Sequence, residues 1–233
     1  RDEKRILSVI AAVVIVIFFV PYTASGFSAC GKLFNSLFGI DYHVAMVISA
    51  LVIVAYTALG GFLAASTTDF IQSIVMTLAI FVVIIYGTTT AGGIDAVIDN
   101  AKTMAGYFSV TSIFNPDTGA AEPYSFLTIV SLLAWGLGYF GMPHILLRFM
   151  AVEKPEKIKL SRRVATIWVV ISMAVTIFIG VAGNAMIRAG RIESQNDSER
   201  ILIAIATAIS KHGVLAALIA GIILAGLLAA IMS

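Results

Sequence analysis

The chain has 233 residues, of which 60% are hydrophobic and only 12% charged, with a net charge of +2 and a mean hydropathy of +1.01. A soluble domain carries about 45–50% apolar residues and about 25% charge, so this composition excludes a water-soluble globule and specifies an all-α, polytopic membrane protein. The small net charge excludes nucleic acid as a partner, and the single Cys30 excludes an internal disulfide.

Hydropathy and punctuation place six spans, at about residues 6–34, 43–59, 62–89, 125–152, 164–187 and 214–233, in one transmembrane body covering residues 1–233. The first is long enough to tilt, with Pro21 as an expected bend. Gly60-Gly61 supplies a tight turn between the second and third. An amphipathic piece, residues 94–107, and a polar loop holding Asn115-Pro-Asp-Thr-Gly119 follow the third span, and a short segment, residues 198–210, precedes the sixth.

Orientation follows from the basic residues. With the amino end cytoplasmic, residues 1–5 and 148–163 are inside and hold Arg1, Lys4, Arg5, Arg148, Lys154, Lys157, Lys159, Arg162 and Arg163. The acids Asp41, Asp95, Asp99, Asp117, Glu122, Glu193, Asp197 and Glu199 then lie outside, as the positive-inside bias requires. The basic stretch Lys154 to Arg163 reads as a solvated loop, with anionic membrane lipid as the alternative partner. Both ends read as internal to a longer polypeptide, because the chain opens on Arg-Asp-Glu-Lys-Arg without Met and stops at Ser233 inside an apolar run.

Three places within the spans carry chemistry. The run Trp135-Gly-Leu-Gly-Tyr-Phe-Gly-Met-Pro-His144 puts three glycines and a proline at mid-depth of the fourth span, which is therefore expected to be broken. Unwound backbone survives there only where it is buried in protein or lines a polar cavity, so the run reads as a seat for a small solute and an ion, or as a kink used only for packing. Asp69 is the one acid inside a predicted span; it marks an ion, proton or substrate path, or else caps its own backbone beside Ser66, Thr67 and Thr68. The sixth span ends in small residues, with Ser233 offering a hydroxyl to an alkali cation or to its own backbone. No Ser/His/Asp or metal-ligand cluster can be assembled around His43, His144 or His212, so the chain does not read as an enzyme.

Four runs resemble one family. Trp135 to Ala151 (WGLGYFGMPHILLRFMA) is similar to the seventh-helix motif of the bacterial sodium/proline branch of the sodium:solute symporter family, and Tyr56 to Met76 (YTALGGFLAASTTDFIQSIVM) resembles that family's signature segment. Phe19 to Gly26 (FVPYTASG) and Leu224 to Ser233 (LAGLLAAIMS) fit in order, so the resemblance spreads over essentially the whole chain.

The resemblance implies a LeuT-type bundle of two inverted five-helix repeats, with this segment carrying the last three helices of the first repeat and the first three of the second. The remainder of the same polypeptide would supply the broken first core helix. The implied activity is sodium-coupled symport of L-proline or a similar small amino acid across the cytoplasmic membrane by a multi-pass protein. The alternatives are symport of a monocarboxylate, pantothenate or a sugar, and a transporter-like sensor domain of a histidine kinase. Carried over position by position, Tyr22, Trp135, Tyr139 and Pro143 would shape the proline pocket. The Ala230 carbonyl and the Ser233 hydroxyl would bind the sodium ion, and Asp69 would belong to a second ion site or the release path. Met142 departs from the Gln common in proline transporters.

Overall fold

The computed structural model describes residues 5–115, 117–195 and 197–232. Eight α-helices account for most of these: α1 (Ile6–Phe38), α2 (Tyr42–Thr90), α3 (Ile94–Lys102), α4 (Phe126–Gly138), α5 (Pro143–Met150), α6 (Pro155–Arg188), α7 (Ile201–Ser210) and α8 (Val214–Met232). Among the described residues, five stretches are long and apolar enough to cross a membrane: Ile6–Phe38, Tyr42–Thr90, Phe126–Met150, Pro155–Arg188 and Val214–Ile231. The chain is an all-α, polytopic membrane protein.

The second stretch shows why glycine matters. Its 49 residues would extend roughly 74 Å as one straight helix, more than twice the hydrocarbon core of about 30 Å. Gly61, at φ 59° and ψ −160°, breaks it. Only glycine occupies that region without strain, so the chain can reverse there and separate residues 42–60 from residues 62–90.

Two differences from the sequence reading have local causes. The polar loop after α3 holds a two-stranded antiparallel hairpin, β1 (Ser112–Phe114) and β2 (Ala121–Pro123), whose loop is held by the Gly119 N–H donating to the Asn115 carbonyl at 2.9 Å. The inner basic segment is largely helical: Pro155 starts α6, so Lys157, Lys159, Arg162 and Arg163 stand on its exposed first turns. A proline at the first helical position has its φ preset and gives up an N–H that has no partner there in any case.

The chain forms two compact units. The first comprises α1, α2 as far as Val83, α7 and α8. Here α7 packs on α8 and α8 on α1, around the fully buried Cys30, Val83, Ile205 and Ile223. Lys32 near the end of α1 pairs with Asp197 at 3.0 Å and Glu199 at 2.6 Å, tying the start of the α7 segment to α1. The Lys32 ammonium and the Glu199 N–H both donate to Asp197 and hold its carboxyl below the usual carboxylate range.

Gly31 allows α1 to meet the start of α2. A Cβ there would lie 2.8 Å from the Tyr42 ring and 3.0 Å from the Tyr42 carbonyl oxygen, and Tyr42 is fixed by donating to the Ser28 hydroxyl at 2.8 Å. Gly31→Val is therefore expected to destabilise the first unit by roughly 1–3 kcal/mol through overpacking. A clear fall in the thermal unfolding midpoint of the detergent-solubilised protein is the expected result; an unchanged midpoint contradicts the contact.

The second unit runs from Ile84 to Arg191. Its core joins α3 to the outer half of α6 through Val97, Ala101, Ile179, Ala182 and Met186. Polar links lock the same pair: Asn100 donates to Asn184 at 2.9 Å, and Arg188 donates to the Thr103 hydroxyl. By contrast no residue of α4 is buried. Apolar side chains on all sides of a helix are stable only against lipid or other protein.

Candidate functional site

The fourth span is interrupted at its Gly/Pro-rich run. Ser125 caps α4 by accepting from the Thr128 N–H at 3.1 Å, and the helix runs to Gly138. A 3₁₀ turn, Tyr139–Gly141, follows, Met142 is extended at φ −66° and ψ 124°, and α5 restarts at Pro143. The cause is local. Gly136, Gly138 and Gly141 weaken the helix, the residue before a proline is pushed to extended backbone, and the Pro143 ring would clash with the Tyr139 carbonyl in a continuous helix.

At the break the Tyr139 carbonyl accepts from Met142 N–H at 3.3 Å, and the Met142 carbonyl accepts from Ile145 and Leu146. The Trp135 and Tyr139 rings meet edge to face with centroids 6.4 Å apart, and both remain exposed, Trp135 at 71% and Tyr139 at 51%. Pro143, one turn on from Tyr139, is half-buried. Two aromatic surfaces and a loosened backbone thus stand together in the second unit. They can cover an apolar ring and attract an ammonium group.

The remaining candidates lie in the first unit. Tyr22 projects from α1, half-exposed, with its ring 5.3 Å from that of Phe19. Ala230 is half-buried on α8, whereas Ser233 lies outside the described residues. The small residues of α8 let it approach α2 closely: a Cβ on Gly226 would sit 3.2 Å from Val75 Cγ1 and 3.7 Å from Met76 Cα. Asp69 is half-buried on α2. Its neighbours Thr67 and Thr68 turn their hydroxyls to the preceding turn, onto the Leu63, Ala64 and Ala65 carbonyls.

A cavity of about 260 Å³ also opens in this unit, lined by Phe34, Ile40, Ala45, Ile48, Ser49, Val52 and Leu228. With Ser49 as its one polar side chain, it lacks the converging donors and acceptors that a charged solute needs. One polar residue escaped the sequence reading. Gln72 lies one turn beyond Asp69, and its Oε1 is buried with no hydrogen-bond partner among the described residues. The signal was an amide at the i+3 position from an intramembrane acid.

A family model described as the sodium:solute symporter family matches residues 1–233, the entire chain. The chain belongs to the sodium:solute symporter family. It is 34% identical over 233 residues to proteins named sodium/proline symporter from Staphylococcus aureus, including those of strains USA300 and JH9. Each comparison covers 100% of this chain and 42% of the relative, so the chain spans less than half the length of these curated relatives. No solved structure gives a significant match. Sodium:solute symporters are transporters, not enzymes, and they reside in membranes as multi-pass proteins.

Proposed function

We propose that the polypeptide carrying this segment couples inward sodium movement to uptake of L-proline or a similar small amino acid across the cytoplasmic membrane. The observation that carries the reading is the interrupted α4–α5 helix, with the Trp135 and Tyr139 rings side by side at its break. Family membership and the 34% identity to sodium/proline symporters support the same solute class.

In this reading the bundle is of the LeuT type. Trp135, Tyr139 and Pro143 present apolar surface to a pyrrolidine ring, and Tyr22 on α1 is the further aromatic candidate that the resemblance names. The Ala230 carbonyl and Ser233 hydroxyl supply oxygen ligands to sodium, and Asp69 stands on a second site or on the way out. Hard cations prefer oxygen donors, which these groups are. Sodium then raises the population of the solute-ready state, which requires that it bind outward and inward states with different affinity.

Met142, in the place of the Gln common in proline transporters, favours a second reading, sodium symport of another small solute such as a monocarboxylate, pantothenate or a sugar by the same machinery. Competition separates the two. Uptake of labelled proline by cells expressing the full chain, challenged with excess unlabelled proline, other small amino acids, monocarboxylates, pantothenate and sugars, is expected to be suppressed by proline and its close analogues. Suppression by a monocarboxylate, pantothenate or a sugar alone transfers the proposal to that solute. Failure of the full chain to move any of them supports the sensor alternative.

A further inference from the structure

The inner end of α6 collects charge that neither its own packing nor the solute site uses. Between residues 153 and 163 five cations, Lys154, Lys157, Lys159, Arg162 and Arg163, stand with only two acids, Glu153 and Glu156, and all seven are exposed. Lys157 engages Glu153. Lys159, Arg162 and Arg163 have no ion pair or side-chain hydrogen bond among the described residues, and from Lys157 to Arg188 the helix holds no acid that could answer them.

Helical structure gives these charges a direction. Because Pro155 starts α6 ahead of them, Arg162 and Arg163 follow Lys159 by three and four positions, within an arc of about 100°. Like charges at these spacings oppose a helix, so the arrangement calls for an anion. Going up the helix from Lys159 and Arg163, the same side continues as Ile167 and Val170, both exposed. The surface is cationic below and apolar above.

The outer anchors of α6 set the depth of this surface. Asn184 accepts from Asn100, and Arg188 donates to Thr103, so the outer end of the helix is held to α3 by polar contacts. With Asn184 at the outer boundary, Arg163 lies about 32 Å below it by helical rise, close to the hydrocarbon thickness of about 30 Å. Lys159 is about 6 Å further in, within a head-group layer of about 5–8 Å per leaflet.

We propose that Lys159, Arg162 and Arg163 form a docking site for an anionic phospholipid of the inner leaflet, with the phosphate held by the cations and an acyl chain lying along Ile167 and Val170. The two guanidinium groups offer planar, bidentate donors to phosphate oxygens, and Lys159 adds a point charge deeper in the head-group layer. Each cation so placed strengthens attraction to anionic lipid by about fivefold. The inference is independent of which solute is carried.

The test is native mass spectrometry of the full-length polypeptide, released from detergent with an equimolar mixture of phosphatidylglycerol and phosphatidylcholine of identical acyl chains. Wild type is compared with Lys157→Gln, Arg163→Gln and the triple variant Lys159→Gln/Arg162→Gln/Arg163→Gln. Wild type is expected to retain phosphatidylglycerol over phosphatidylcholine by more than about tenfold. Arg163→Gln should lower that preference about fivefold and the triple variant should bring it near parity, whereas Lys157→Gln, which removes a cation already paired, should leave it unchanged. Equal retention of the two lipids by wild type overturns the proposal, as it would if the cluster were only solvated or were covered by an acidic segment elsewhere in the polypeptide. A preference that survives the triple variant, or survives Arg163→Gln where the triple variant does not fold, overturns it as well. An equal loss in Lys157→Gln assigns the effect to net charge rather than to this face, with the same consequence.

Discussion

Replacing Trp135 by Ala in the full-length polypeptide is expected to raise the half-saturation concentration for proline from several-fold to tens-fold, with surface expression near wild type. The ring is 71% exposed and belongs to a helix with no buried residue, so its removal leaves the packing of its own unit intact. What it removes is aromatic surface and the attraction of a π-face for an ammonium, worth roughly 0.5–2 kcal/mol. Tyr139→Ala acts in the same direction, and the pair should be less than additive because the two rings touch. Concentration dependence of uptake at saturating sodium measures both. Unchanged half-saturation in both variants removes the break from the solute site.

The second large effect concerns sodium. Ser233→Ala is expected to raise the sodium half-saturation value at saturating solute by more than about tenfold, because a small hard cation in a closed site loses an oxygen ligand that water does not readily replace. Asp69→Asn is expected to behave differently, changing sodium activation or release while the solute half-saturation at high sodium stays near normal. Asp69 lies toward the Gly61 end of its helix stretch, which is the cytoplasmic end in the predicted topology. An unchanged sodium half-saturation in Ser233→Ala removes that residue from the ion site.

Much of this was legible in the sequence, for identifiable reasons. A membrane forces backbone polar groups to pair within each helix, so apolar run length alone marks α1, α4, α6 and α8. The Gly-Gly pair at 60–61 and the Gly/Pro run at 136–143 are conformational statements that need no tertiary context, and the backbone departs from the helix at Gly61 and at Met142. The hairpin at residues 112–123 left no such mark, because its strands are only three residues long, too short for an alternating pattern to register. The start of α6 was hidden by its charge: Lys157, Lys159, Arg162 and Arg163 read as a loop although Pro155 initiates helix among them.

Site residues divide along the same line. Trp135 and Tyr139 stand out as aromatics flanking glycines, and Asp69 as an acid in an apolar run. Gln72 does not, since an amide carries no charge and its significance appears only once its neighbours' hydroxyls are seen to be committed elsewhere. The Lys32 pairing with Asp197 and Glu199 was equally invisible, since its partners stand 165 positions or more along the chain, as the separation of 167 between Lys32 and Glu199 shows.

The most direct measurement is proline accumulation by the full-length polypeptide reconstituted into sealed proteoliposomes, with an inward sodium gradient imposed in one arm and an equal choline gradient in the other. The account predicts transient accumulation of proline above its external concentration with sodium alone, abolished when the gradient is collapsed. Equal proline entry in the two arms, or no entry in either, would contradict it.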